Sequence, residues 1–83
     1  MTYLKVQQAK EIAIGVKQTL RAIERSQAIE VIIANDADTE ITQEIIVKCN
    51  QASVPFSWVD SMRKLGYACG IEVCAATVAI INQ

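Results

Sequence analysis

The chain has 83 residues, of which 52% are hydrophobic and 20% charged, and its formal net charge is −1. A chain of this length and composition forms one globular domain rather than a disordered segment. The near-neutral charge excludes a protein that coats nucleic acids by strong positive charge alone. No apolar run reaches the roughly 18 residues of a membrane span, and no signal peptide is recognisable, so a cytoplasmic protein is expected.

Charge is unevenly distributed along the chain. Residues 1–25 carry five basic and two acidic side chains, 5 − 2 = +3, whereas residues 26–60 carry one lysine and six acidic side chains, 1 − 6 = −5. This polarity predicts one side that attracts phosphate and one that repels it. The acidic segment, residues 30–60, leaves open an alternative function as a protein-interaction module that holds a basic partner.

Three cysteines, Cys49, Cys69 and Cys74, are present without a histidine or a CxxC pair. A structural zinc site needs more ligands than this sequence offers. In a reducing compartment the three thiols are expected to stay free and to pack as small hydrophobic groups. We therefore predict no metal and no cofactor.

The first predicted element is an amphipathic helix over residues 3–13, because apolar positions recur there at spacings of three and four. A second helix follows Gly15 and ends at Ser26. At about 100° per residue its apolar and polar side chains fall on opposite faces. The buried face comprises Val16, Leu20 and Ile23, and the polar face comprises Lys17, Gln18, Arg21 and Arg25.

The rest of the chain alternates strands and helices. The β-branched run at 30–34 predicts a central strand, and the polar residues after it predict a turn that caps a helix over 40–52 with Ala52 on its buried face. A strand at 54–59, in which Pro55 must lie at the start or on an edge, precedes a short helix over 62–65 that stops at Gly66. A last strand is predicted over 75–81. This order predicts an α/β domain in which a sheet lies between helices.

Catalytic patterns are absent from the sequence. It has no histidine, no nucleophile elbow and no glycine-rich phosphate loop. Asp36 and Asp38 together suit a Mg²⁺ site or an acid and base pair, as in a small metal-assisted hydrolase. A capped turn at the head of a helix is the simpler interpretation, so we predict a protein that is not an enzyme.

Gly15 and the polar residues after it form the principal candidate site. A glycine there either lets the chain turn or lets a ligand approach the free N–H groups of a helix N-terminus. Lys17, Gln18 and Arg21 supply a point charge, an amide that donates and accepts, and a rigid donor fork, which together suit a purine edge and its phosphate. The alternative is a polar helix face that only contacts water.

Three segments resemble the L7Ae family of ribosomal proteins, in order and nearly from end to end. Residues 15–28, which begin GVKQTLRA, resemble the family segment with the pattern Gly-x-Asn-Glu-x-x-Lys-Ala. Residues 31–38 resemble the central strand with its acidic loop, and residues 65–73 resemble a second RNA-contacting loop. The resemblance implies a three-layer α-β-α sandwich with a small mixed sheet, and binding to kink-turns, which are sharply bent RNA helices with tandem sheared G·A pairs.

The resemblance also implies roles for individual residues. The glycine-led helix enters the widened groove, where Gly15 permits close approach. Lys17 and Gln18, which replace the family's asparagine and glutamate, face the guanine edges. Arg21 and Arg25 contact the nearby RNA backbone or bases. Ile71, Glu72 and Val73 cover the unpaired nucleotides.

For Ile71 and Val73 the competing interpretation is a place in the core next to the last strand. The resulting prediction is a monomeric RNA-binding protein, with ribosomal RNA as the first candidate partner and a riboswitch or other structured RNA as alternatives. Neither DNA nor a membrane is an expected partner.

Overall fold

Helices and strands alternate along the chain in the computed structural model, which describes residues 2–82. Within this range the helices are α1 (Thr2–Gln8), α2 (Val16–Glu24), α3 (Thr39–Ala52) and α4 (Met62–Ala68). The strands are β1 (Glu11–Ile14), β2 (Glu30–Ala34), β3 (Phe56–Val59) and β4 (Thr77–Asn82).

The strands form one mixed sheet in the order β1-β4-β2-β3. Strand β4 pairs antiparallel with both β1 and β2, and β2 pairs parallel with β3. The two central strands are the most apolar, and residues 31–34 and 77–80 are all buried. Continuous apolar runs are typical of strands covered on both faces, as the sequence predicted for residues 30–34.

Alternate side chains of the central strands enter two separate cores. Ile32, Val78 and Ile80 pack with Val6 of α1 and Leu65 of α4. On the opposite face, α2 and α3 cover Val31, Ile33 and Ala79 with residues that include Ala22, Ile23, Ile45 and Cys49. The three-layer α-β-α arrangement is therefore confirmed.

The predicted first helix is wrong in its second half. Helix α1 ends at Gln8, and Glu11–Ile14 form the edge strand β1. The Lys10 N–H donates to the Asn82 C=O at 2.8 Å, and Ile12 lies opposite Ile80 in the antiparallel register. The apolar spacing of this segment also fits a helix, but pairing with β4 at the far end of the chain decides its conformation.

The predicted end of α4 at Gly66 is also wrong. The helix continues to Ala68, and Gly66 is a buried residue within it. The residue that ends the helix in a left-handed conformation is Gly70, with φ +82°. Ala52, predicted to be buried, is exposed at the end of α3, whereas Pro55 directly precedes the edge strand β3 as predicted.

Candidate nucleic-acid interface

Gly15 opens α2 with a backbone conformation that requires glycine. Its φ is +96° and its ψ is 167°, a region that L-residues with a side chain rarely adopt. The Gly15 N–H donates to the Thr77 C=O at 2.9 Å, and no side chain among residues 2–82 caps the helix. A Cβ added at Gly15 would meet no atom of the described residues, 2–82, within 4 Å. The N-terminus of α2 is therefore open to a ligand.

The polar face of α2 is exposed as the helical period predicted. Lys17, Gln18, Arg21 and Arg25 are all exposed. Of the predicted buried face, Ile23 is buried, whereas Val16 and Leu20 are half-buried against the same core. None of the ion pairs found among residues 2–82 involves the three cations of this face. Their charge is therefore available to a ligand.

The loop of residues 70–76, which joins α4 to β4, is fixed to α4 at both ends. The Ile71 N–H donates to the Gly66 C=O at 3.1 Å and the Gly70 N–H to the Tyr67 C=O at 3.0 Å. These two bonds form a Schellman motif, which reverses the chain after a helix. The Ala75 N–H then donates to the Met62 C=O at 3.1 Å, so the loop runs back along the whole of α4.

Gly66 allows this loop to lie directly on α4. A Cβ at this position would collide with the backbone carbonyl of Val73 and lie 3.4 Å from the Cα of Cys74. The sequence reveals only a glycine, because the neighbour that requires it lies seven residues further along. The function of Gly66 is close backbone packing rather than helix termination.

The end of this loop meets the start of α2. Ala76 accepts a hydrogen bond from the Ala34 N–H at 2.9 Å, and Thr77 accepts the bond from Gly15 described above. The loop therefore ends at the same sheet edge at which α2 begins. Val73 is 69% exposed, which excludes a core position for it. Ile71 is half-buried and Glu72 is exposed.

A depression of about 290 Å³ lies at the surface where α4 and its loop meet. Two of its residues, Arg63 and Tyr67, were not recognised in the sequence as candidate site residues. Their spacing of four places both on one face of α4, a signal that gains meaning only when the loop beside them is known. The depression is lined by Arg63, Tyr67, Ile71, Glu72, Val73 and Cys74.

Asp36 and Asp38 form a capped turn at the head of a helix, which is the simpler of the two interpretations of the sequence. The Asp38 side chain accepts a hydrogen bond from the Glu40 N–H at 2.9 Å and caps α3. Asp36 accepts from the Met62 N–H at 2.8 Å, at the start of α4. Among residues 2–82, no three side chains of histidine, cysteine, aspartate or glutamate converge as a metal site would require.

Other acidic residues of the middle segment are dispersed. Glu30, at the start of β2, contacts Lys5 at 3.2 Å and accepts from the Ser57 hydroxyl at 2.8 Å. Asp36 and Asp38 follow the opposite end of the same strand. Asp60 accepts from the Tyr3 hydroxyl at 2.5 Å, and this bond holds the pKa of the carboxyl below its usual value.

The cysteines differ in environment. Cys49 is buried and Cys69 half-buried, and burial raises the pKa of each thiol to about 11. Both thiols are therefore protonated near neutral pH and pack as apolar groups, as predicted. Cys74 is exposed on the loop of residues 70–76, so the prediction that this thiol packs as a small hydrophobic group is wrong.

No helix within residues 2–82 combines the length and apolarity needed to cross a membrane.

Comparison with known proteins identifies the family of the chain. The model of the ribosomal protein L7Ae/L30e/S12e/Gadd45 family matches residues 2–83. The chain belongs to this family.

Full-length relatives agree with this assignment. The chain is 53% identical over 82 residues to an RNA-binding protein of Geobacillus thermodenitrificans, covering 99% of this chain and 100% of that protein. The identity and both coverages are the same for RNA-binding protein YbxF of Geobacillus stearothermophilus. Among solved structures, the Giardia lamblia 15.5kD RNA binding protein superposes with a TM-score of 0.89 at 31% identity, covering 99% of this chain and 72% of that one.

Proposed function

We propose that this protein is a single-domain, non-catalytic RNA-binding protein that recognises kink-turns. The observation that carries the proposal is the exposed face of Lys17, Gln18 and Arg21 at the uncapped start of α2. Its family, and relatives that are themselves named RNA-binding proteins, support RNA as the ligand and a function without catalysis.

Helix α2 supplies the groups that would read the RNA. The Gln18 amide both donates and accepts, and so can pair with a purine edge that presents both kinds of group. Arg21 offers parallel donors to a base or a phosphate, and Lys17 adds a mobile positive charge. Because Gly15 has no side chain and an open surrounding, the RNA backbone can approach the first N–H groups of the helix.

The loop of residues 70–76 would cover the unpaired nucleotides beside the G·A pairs. Val73 offers an exposed apolar surface to bases that leave the stack, and Ile71 supports it from a half-buried position. Sequence-specific recognition of RNA mostly uses such unstacked elements. The bond between Gly15 and Thr77, the residue that follows the loop, holds the end of the loop beside the start of α2.

Binding of this kind would act on the shape of the RNA. A protein that binds the bent form more tightly than the extended form shifts the population toward the bent form without any chemical step. We propose a cytoplasmic monomer with ribosomal RNA as the first target to examine, followed by riboswitches that contain kink-turns.

Two substitutions on α2 test the proposal. Gln18→Ala and Arg21→Ala should each weaken binding to a kink-turn duplex in a gel-shift assay, by about 1 to 3 kcal/mol for the loss of a bidentate base contact. Gln43→Ala removes an exposed glutamine from α3 and should leave the affinity unchanged. Wild-type affinity in both α2 variants would overturn the proposal.

A further inference from the structure

The depression between α4 and its loop has walls that the backbone holds in place. The Schellman bonds fix its end at Ile71, and the bond from Ala75 to Met62 fixes the opposite end. Gly66 brings the Val73 carbonyl onto the helix between them. A site of this construction is formed before a ligand arrives, which lowers the entropic cost of binding.

The lining of the depression combines three kinds of chemistry. Tyr67 is 63% exposed and presents an aromatic ring. Arg63 lies one helical turn away on the same face and brings a guanidinium group, and the Glu72 carboxylate lies on the loop. No ion pair found among residues 2–82 engages Arg63 or Glu72.

This combination selects among ligands. A free phosphate would meet the Glu72 carboxylate as well as Arg63, and a wholly apolar segment would desolvate both charges. A nucleotide uses all three groups, because its base stacks on an aromatic ring, its phosphate accepts from arginine, and a carboxylate accepts from an amino group of the base.

The position of the depression connects it with the proposed RNA surface. Val73 and Glu72 belong both to the depression and to the loop that ends beside Gly15. Because Val73 and Tyr67 line the same depression, an RNA strand that lies over Val73 is next to Tyr67. On the basis of the proposed function, we propose that this depression holds one further unpaired nucleotide of the same RNA, stacked on Tyr67 with its phosphate on Arg63.

Removal of a base from the RNA tests the stacking directly. We would measure the affinity of the protein for a kink-turn RNA and for a series in which each unpaired nucleotide in turn lacks its base. Tyr67→Ala should weaken binding to the intact RNA about fivefold or more, and Tyr67→Phe should bind like the wild type. One RNA of the series lacks the base that stacks on Tyr67. For this RNA the wild type and Tyr67→Ala should have the same affinity, because no stacking contact is left to remove.

The contact of Arg63 with phosphate has its own readout. Arg63→Gln should lower the slope of log affinity against log salt by about 0.7 to 0.9, the value of one phosphate contact. Lys64→Gln is the matched control, because Lys64 lies next in the same helix, pairs with Asp60 at 3.3 Å and does not line the depression. Lys64→Gln should leave the salt slope unchanged.

Two results would overturn the inference, provided that the wild type prefers the kink-turn. In the first, Tyr67→Ala binds every RNA of the series as tightly as the wild type does. In the second, Tyr67→Ala binds every RNA of the series more weakly than the wild type by the same factor. An Arg63→Gln variant with an unchanged salt slope would also overturn it. Failure of the proposed function looks different, since the wild type would then bind the kink-turn no better than a regular duplex. In that case the further inference falls together with the function on which it rests.

Discussion

Helices α2 and α4 border the proposed RNA surface, but they are built differently. Helix α4 is capped by Ser61, which accepts from the Lys64 N–H at 3.2 Å, and ends in a Schellman motif on Gly70. Helix α2 starts without a side-chain cap, and its buried Thr19 hydroxyl finds no hydrogen-bond partner within residues 2–82. Both helices are followed by a Schellman motif, but the left-handed residue after α2 is Ser26, with φ 58°, rather than a glycine.

The difference between the two helices indicates that α2 is locally less stable than α4. Strained backbone and unsatisfied polar groups tend to collect at sites selected for binding rather than for folding. Gly15 and Gly66 illustrate this contrast. Gly15 needs an unusual φ and has open space around it, whereas Gly66 lies within a helix and has no space.

The largest expected effect comes from Gly66→Ala. The new methyl group would meet backbone atoms of Val73, which cannot move without displacing the loop, so we expect a loss of about 3 kcal/mol or more in the free energy of unfolding. Urea denaturation measures it. Gly70→Ala is the control, because φ +82° gives it a cost of only about 1 to 2 kcal/mol without a collision. Equal losses in both variants would refute the packing role of Gly66.

A smaller loss is expected for Gly15→Ala. Its cost arises only from the strained backbone, since a Cβ would meet nothing within 4 Å, and should be about 1 to 2 kcal/mol in the same denaturation experiment. A loss as large as that of Gly66→Ala would mean that the two glycines do not differ as described.

Thr19→Val should stabilise the protein. The substitution replaces a buried hydroxyl that has no partner by a methyl group of similar shape, so a gain of about 1 kcal/mol is expected in thermal or urea unfolding. Thr42→Val is the matched control on α3, because the Thr42 hydroxyl donates to the Thr39 C=O at 3.0 Å. Loss of this hydrogen bond should destabilise the protein. Destabilisation by Thr19→Val would show that its hydroxyl is satisfied.

Ser26→Gly should give the smallest gain, about 0.5 kcal/mol. Glycine adopts the left-handed conformation of this residue without the penalty of a side chain, although part of the gain is lost to the greater freedom of the unfolded chain. Ser26→Ala has the same backbone penalty as serine and should not stabilise. If alanine stabilised as much as glycine, the left-handed cap would not be the cause.

Elements governed by local pattern were predictable from the sequence. Strand β2 was predicted with its bounds, and α3 to within one residue at its start, because a β-branched run and an Asp38 cap are local signals. Strand β1 was not, since its conformation is fixed by pairing with β4, which is distant in the sequence. The true end of α4 was missed because a glycine is needed at position 66 for contact with the backbone of Val73 and not for ending the helix.

The candidate site was predictable to a similar degree. The exposed face of α2 follows from its helical period, and the loop residues 71–73 follow from the family resemblance. Arg63 and Tyr67 could not be singled out, because a charged and an aromatic residue on a short helix are usually surface residues without a partner. Their relation to the loop depends on the Schellman turn, which the predicted stop at Gly66 concealed.

The central claim is selective recognition of bent RNA by the face of α2. It is tested most directly by the ratio of two dissociation constants of the unaltered protein, one for a kink-turn duplex and one for the same duplex with its G·A pairs changed to Watson–Crick pairs. Loss of two recognised base pairs predicts at least about tenfold weaker binding to the altered duplex at the same salt concentration. Equal dissociation constants would contradict the account.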